Sequence, residues 1–146
     1  MRRFLILSIL IIAATGRGAA HDESDKPITF EQLPKRAQQF INAHFSGIKI
    51  SYAKVDVDGF DRSYEVFFVN GSNIEFNRKG EWTDIDCKFS TIPDGAVPPK
   101  ILSYIKAHYP ELNIIEMDRN RKEYEVKLSN GLELIFNLSF AFIGFD

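Results

Sequence analysis

Three histidines, one cysteine and a surplus of acids over bases make up the reactive groups of this chain. Their spacing decides what chemistry they could do. Asp56-Val57-Asp58-Gly59-Phe60-Asp61 gathers three carboxylates in a short stretch, the raw material of an oxygen-ligand site for calcium. An EF-hand loop needs a further Asp or Asn before its glycine and a Glu beyond it, and Gly59 comes too early for that order. Asp56, Asp58 and Asp61 are therefore a weak calcium candidate at extracellular concentrations, with a solvated hairpin turn as the plain alternative. His44 and His108 occupy matching places at the ends of two helical segments, where a charged imidazole complements the helix dipole. A two-histidine metal site joining them is the less ordinary reading. Cys87 alternates with Ile85 and Phe89, as a small buried apolar residue would. A reactive thiol needs a neighbour that lowers its pKa, and Asp86 and Lys88 project from the other side of the strand. No HExxH, GxSxG or phosphate-cradling loop is present. The expectation is a protein that is not an enzyme and holds no cofactor.

The elements that would position these groups begin after the first twenty residues. Met1-Arg2-Arg3 is basic, Phe4 to Ala14 is almost wholly apolar, and Thr15 to Ala20 is rich in small residues. That order is a secretory signal peptide over residues 1–20, cut after Ala20. Its apolar run falls well short of the roughly 20 residues a membrane crossing needs. An uncleaved anchor is the alternative. Residues 21–146 are then a single exported domain, periplasmic or secreted, with no stable membrane insertion after cleavage. Loss of Arg2, Arg3 and Arg17 moves the formal charge from −2 to about −5. No basic stripe offsets it, so nucleic acid is not an expected partner. A lone cysteine cannot close an internal disulfide, so stability must come from a hydrophobic core.

The mature chain repeats itself. At a spacing of 64, Phe40-Ile41 falls on Tyr104-Ile105 and Ala43-His44-Phe45 on Ala107-His108-Tyr109; at a spacing of 60, Tyr64–Asn77 falls on Tyr124–Asn137. Two units are expected, at about residues 28–91 and 92–146. Each opens with a helix: Leu33, Ala37, Phe40, Ile41 and His44 share one helical face, and Val97, Ile101, Tyr104, Ile105 and His108 repeat it. Pro34 and Pro98 suit the first helical position, and Thr29-Phe30-Glu31-Gln32 has capping-box spacing. After each helix the apolar period changes to two. Strands are expected at about 49–57, 62–69, 73–78 and 81–89, then 112–119, 122–129, 132–138 and 140–146, with turns at Asp58-Gly59, Asn70-Gly71, Lys79-Gly80 and Asn130-Gly131. The fold class is α+β: two tandem helix-plus-four-stranded-meander repeats forming one antiparallel sheet of about eight strands, with both helices on one face.

Alternation then sorts the side chains. Tyr64, Val66 and Phe68, like Tyr124, Val126 and Leu128, face the helices, while Glu65 and Glu125 face away. Phe67 and Val69 also face away, where the second unit has Lys127 and Ser129. Trp82 shares its side with Asp84 and Asp86 and so is expected on the open face. Tyr52 joins it unless a bulge reverses its strand, and Ile135 and Phe142 extend the patch. Aromatic rings on an uncovered sheet face suit a contact surface, so Tyr52, Phe67, Val69, Trp82 and Phe142 are the candidate partner-binding residues. A covering loop, a chain terminus or a second copy of the chain would serve those rings equally well.

Several stretches together resemble one known family. They are Lys26-Pro27-Ile28-Thr29 leading into Leu33-Pro34, the Ala-His-Phe helix end, Tyr-Glu-Val before an Asn-Gly hairpin, Gly80-Glu81-Trp82, and Asp86-Cys87 leading to Ile92-Pro93 and Val97-Pro98. The chain is similar, from about Lys26 to Asp146, to the PepSY-like, β-lactamase-inhibitor-like periplasmic proteins. The resemblance implies a tandem fold like that of β-lactamase inhibitor protein, whose concave sheet grips an enzyme. It carries no inhibitory residues across, because no contact motif matches. The function expected is an exported protein-binding module, with enzyme inhibition as one form of it, that uses the open face, a face through which the chain could also pair with itself. A small-ligand or calcium-binding periplasmic protein is the alternative.

Overall fold

Leu33, Ala37 and Ile41 recur at helical spacing and are buried together, which fixes the first helix against the sheet. Ile101 and Ile105 do the same for the second. In the computed structural model, which describes residues 25–146, the helices are α1 (Lys35–His44) and α2 (Pro99–His108). The segment expected to be a signal peptide, residues 1–20, lies outside the described residues. Pro34 and Pro98 sit one place earlier than expected, as N-caps, and Pro99 takes the first helical position. A short 3-10 turn precedes each helix, Phe30–Gln32 and Asp94–Ala96. In the first turn the Thr29 amide donates to Gln32 Oε1 at 2.8 Å.

The strands are β1 (Asp25–Ile28), β2 (Ile50–Asp58), β3 (Asp61–Phe68), β4 (Asn73–Phe76) and β5 (Trp82–Asp86). After α2 come β6 (Ile114–Arg119), β7 (Glu123–Leu128), β8 (Glu133–Asn137) and β9 (Phe142–Phe145). They form one antiparallel sheet in simple sequence order. It has nine strands, not about eight. The addition is β1, which pairs with β2 through Lys26↔Val55 and Pro27↔Lys54. Its two charges and a proline give none of the alternation by which the other strands can be read.

One face of the sheet carries the core. Ala53, Val66, Phe68, Ile74, Phe76, Ile85, Met117, Val126, Leu128, Leu134 and Phe136 are buried there beneath the helices. Phe40 meets Phe76, and Tyr104 meets Phe136, each ring edge to face.

Four register shifts interrupt the alternation, in two matching pairs: β2–β3 with β6–β7, and β4–β5 with β8–β9. At the β4–β5 pair, Glu75 faces Asp84 but Phe76 faces Trp82, so Thr83 is an extra residue. At the β8–β9 pair, Ile135 faces Gly144 but Phe136 faces Phe142, so Ile143 is extra. Each is a β-bulge, which reverses the facing of whatever precedes it. Both follow turns built on an asparagine. Asn77 Oδ1 accepts from the Lys79 and Glu81 amides, and Asn137 Oδ1 from those of Ser139 and Ala141. Gly80 supplies the positive φ of the first turn at +80° and Phe140 that of the second at 66°.

Candidate functional site

The bulges decide which rings reach the open face. Trp82 does not. Thr83 turns it toward the helices, where it is 8% exposed. There Arg119 lies over its ring at 4.5 Å and also donates to its carbonyl, and Tyr124 packs beside it. Phe142 is turned the same way by Ile143 and stacks on Tyr104 of α2 at 5.0 Å between ring centres. These are corrections of the expected facing, and their physical cause is one inserted residue in each strand. Phe89 also departs from alternation: it follows β5 and is exposed, whereas Ile85 and Cys87 are buried. Burial pushes the Cys87 thiol up, against the pull of a Ser72 hydrogen bond, which keeps it protonated and unreactive.

The remaining aromatic candidates lie together at one end of the open face. Tyr52, 52% exposed, stacks on Phe67 with ring centres 4.4 Å apart. The β2 bulge falls between Ile50 and Tyr52 and leaves Tyr52 opposite Phe67. Lys54 lies over the Phe67 ring, and Val69 follows at 61% exposed.

Carboxylates fill most of the rest. Cross-strand register sets Lys54, Glu65, Glu75, Asp84, Asp118 and Glu125 side by side on successive strands from β2 to β7. The neighbouring row runs Tyr52, Phe67, Asn73, Asp86, Glu116, Lys127 and Glu133. Like charges directly opposite one another destabilise a sheet, and the pKa values of five of these acids are pushed up. Burial, then a hydrogen bond and charge repulsion from Asp118, push Asp84 up to about 9. Burial, then hydrogen bonding with Glu133 and repulsion from Asp146, push Glu125 up to about 8. Glu75 is raised by burial and by its acidic neighbours, and Glu116 by burial and Asp86 against the pull of Lys127. Glu65 is raised by burial despite Lys54, which bridges it at 3.6 Å and Asp25 at 3.1 Å.

Within this face, Glu125 of β7, Glu133 of β8 and Asp146 just after β9 bring carboxylate oxygens within 4.8 Å of one another. The Asp146 amide donates to the Glu133 carbonyl at 3.1 Å, which anchors the third acid beside the second. The hairpin acids are arranged differently. Asp58 and Asp61 face each other at the β2–β3 turn, while Asp56 lies between Asp25 and Ser63. The convergence of Glu125, Glu133 and Asp146 escaped the sequence reading, because it depends on register between strands and not on spacing along one.

The sequence of residues 62–144 matches the family model described as "Putative beta-lactamase-inhibitor-like, PepSY-like". The chain belongs to the PepSY-like family. Solved structures agree over most of this PepSY-like chain. One from Bacteroides thetaiotaomicron, titled a "putative calcium-regulated periplasmic protein", shares 45% identity, covers 84% of this chain and 96% of its own, and superposes with a TM-score of 0.80. A periplasmic protein of the DUF2874 family from Bacteroides vulgatus shares 44% identity over 86% of this chain and 98% of its own, with a TM-score of 0.81. A second from that organism, of unknown function, shares 39% identity over 84% and 98%, with a TM-score of 0.77. The comparison with curated proteins found no match. No enzyme family is indicated for this PepSY-like chain, and among the described residues no helix is long and apolar enough to cross a membrane.

Proposed function

We propose that this PepSY-like protein is an exported periplasmic binding module, one domain built from a duplicated helix-plus-meander unit, whose open sheet face takes a divalent cation. The observation that carries the reading is the convergence of Glu125, Glu133 and Asp146 within 4.8 Å. Two oxygens on one calcium ion, each bound at about 2.4 Å, lie at most about 5 Å apart. Ligands that are all carboxylate favour calcium, magnesium or manganese over softer metals. Calcium fits best, because it accepts irregular oxygen geometry and fills its remaining positions with water, whereas magnesium demands near-octahedral order. Burial and these two acidic neighbours push Glu125 up to about 8, a repulsion that a bound cation would relieve. The calcium-regulated description of the Bacteroides thetaiotaomicron relative supports the same reading.

Calorimetric titration of the mature protein with calcium at neutral pH tests it. Binding is expected in the 10⁻⁴–10⁻³ M range typical of extracellular modules, roughly, with proton release. Asp146→Asn and Glu133→Gln should each weaken it about tenfold or more, the cost of removing a charged ligand. Asp58→Asn should not. Equal affinity in all three variants would move the site elsewhere, and no binding at several millimolar calcium would end the reading.

A second reading, docking of a protein partner that the module could inhibit, is favoured by exposed Tyr52, stacked on half-buried Phe67, and by exposed Val69. Aromatic residues at the centre with a polar rim around them are the usual composition of an interface. Partner capture from periplasmic extract by wild type, lost in a Tyr52→Ser/Val69→Ser double variant that melts normally, is its test. Undiminished capture by the double variant would sink it.

A further inference from the structure

The two outer strands of the sheet are not alike. β1 carries Asp25, Lys26 and Pro27, and charges and proline are what keep an edge from pairing with another chain. β9 reads Phe-Ile-Gly-Phe and carries neither a charge nor a proline; its bulge at Ile143 lies toward the start of the strand and leaves Gly144 and Phe145 in regular pairing with β8. The Asp146 amide points inward to Glu133, so Phe145, one residue back, directs its own N–H and C=O outward. Among the described residues nothing pairs with that side.

The same chain shows what covers a strand of this kind. At the spacing of 60, β5 is the counterpart of β9 and Ile85 of Phe145. On β5 an antiparallel strand, β6, seats Met117 against Ile85, which is 0% exposed. Among the described residues no strand pairs with the outer side of β9, and Phe145 is 55% exposed with Ile143 at 58% beside it. The counterpart of β6 in a second copy is β2, which is already covered by β1. Among the described residues the uncovered edges a second copy offers are β1, blunted by its charges and proline, and its own β9.

We infer that two copies of this chain join through β9, antiparallel about a two-fold axis, to make one continuous sheet. The axis sets each Asp146 beside the start of the other β9 and apart from its own equivalent, so the acids do not oppose one another. It brings Ile143 and Phe145 of one copy against those of the other. Assembly stops at two, because both remaining edges are the blunted β1 strands; an isologous contact closes on itself.

Sedimentation equilibrium of the mature protein, in EDTA so that cation binding plays no part, tests this directly. A dimer is expected that dissociates on dilution. Ile143→Lys should make it monomeric by placing like charges across the axis. Phe145→Pro should do the same by removing an outward N–H, a change edge strands tolerate. Both variants should keep the wild-type circular dichroism spectrum. A wild-type monomer at high concentration would overturn the inference. So would a dimer that survives both substitutions, which would place the contact on another surface such as the open face.

Discussion

Asp84 is the residue where the open face states its character most plainly. It stands between Glu75 and Asp118, holds a hydrogen bond to Asp118, and is pushed up to about 9. A carboxyl whose folded pKa lies above its unfolded value favours the native state by binding a proton there. That contribution is full below the unfolded pKa, near 4, and is lost as pH rises through the folded value. Without divalent cations, thermal melts should therefore show stability falling between about pH 5 and pH 9. Asp84→Asn should flatten the slope, since an amide keeps the hydrogen bond and carries no charge. A stability that rises over the same range would contradict the raised Asp84. Trp82 belongs to the same scale with the opposite lesson. It lies in the core beneath Arg119, so Trp82→Ala should cost about 3–5 kcal/mol in a urea melt, where a residue on the open face would cost little.

At the scale of elements, most of the fold was legible. Helix spacing from Leu33 and Val97, alternation in Tyr64–Phe68 and Tyr124–Leu128, and the Asn-Gly turns each place an element to within a few residues. The bulges were harder to read. Trp82 and Ile85, and likewise Phe142 and Phe145, share the core-side facing across a spacing of three, which a regular strand cannot do. The odd spacing, present in both units, was the available signal. β1 left none, because its pairing is written in the backbone of β2. The acidic rows could not be seen either: each acid is unremarkable in its own strand, and only pairing sets them side by side. The turn before the first bulge offers a test at this scale. Gly80 has φ +80°, and an added Cβ would stand 2.9 Å from Pro34 Cβ and 3.0 Å from the Ala37 amide nitrogen. Gly80→Ala should destabilise by about 1–3 kcal/mol, from the unfavourable φ and the crowding of α1. Unchanged urea stability would show that the turn and helix move apart freely.

Over the whole molecule, the sheet divides its labour between faces. One is sealed by the helices and supplies the stability that a chain with one cysteine cannot take from disulfides. The other collects charge that folding alone does not favour. On the proposed reading, a surface that keeps opposed carboxylates in register should gain stability when a cation offsets their repulsion. Calcium at about a hundred times its dissociation constant should add roughly 2.7 kcal/mol, which for a domain of this size raises the melting temperature by about 10 °C. The gain should shrink at low pH, where protons compete. The most direct measurement is an anomalous difference map at long wavelength from crystals soaked in calcium. A peak bounded by carboxylate oxygens of Glu125, Glu133 and Asp146 is the result expected. A peak at Asp56, Asp58 and Asp61 instead, or none on the open face at saturating calcium, would contradict the cation site.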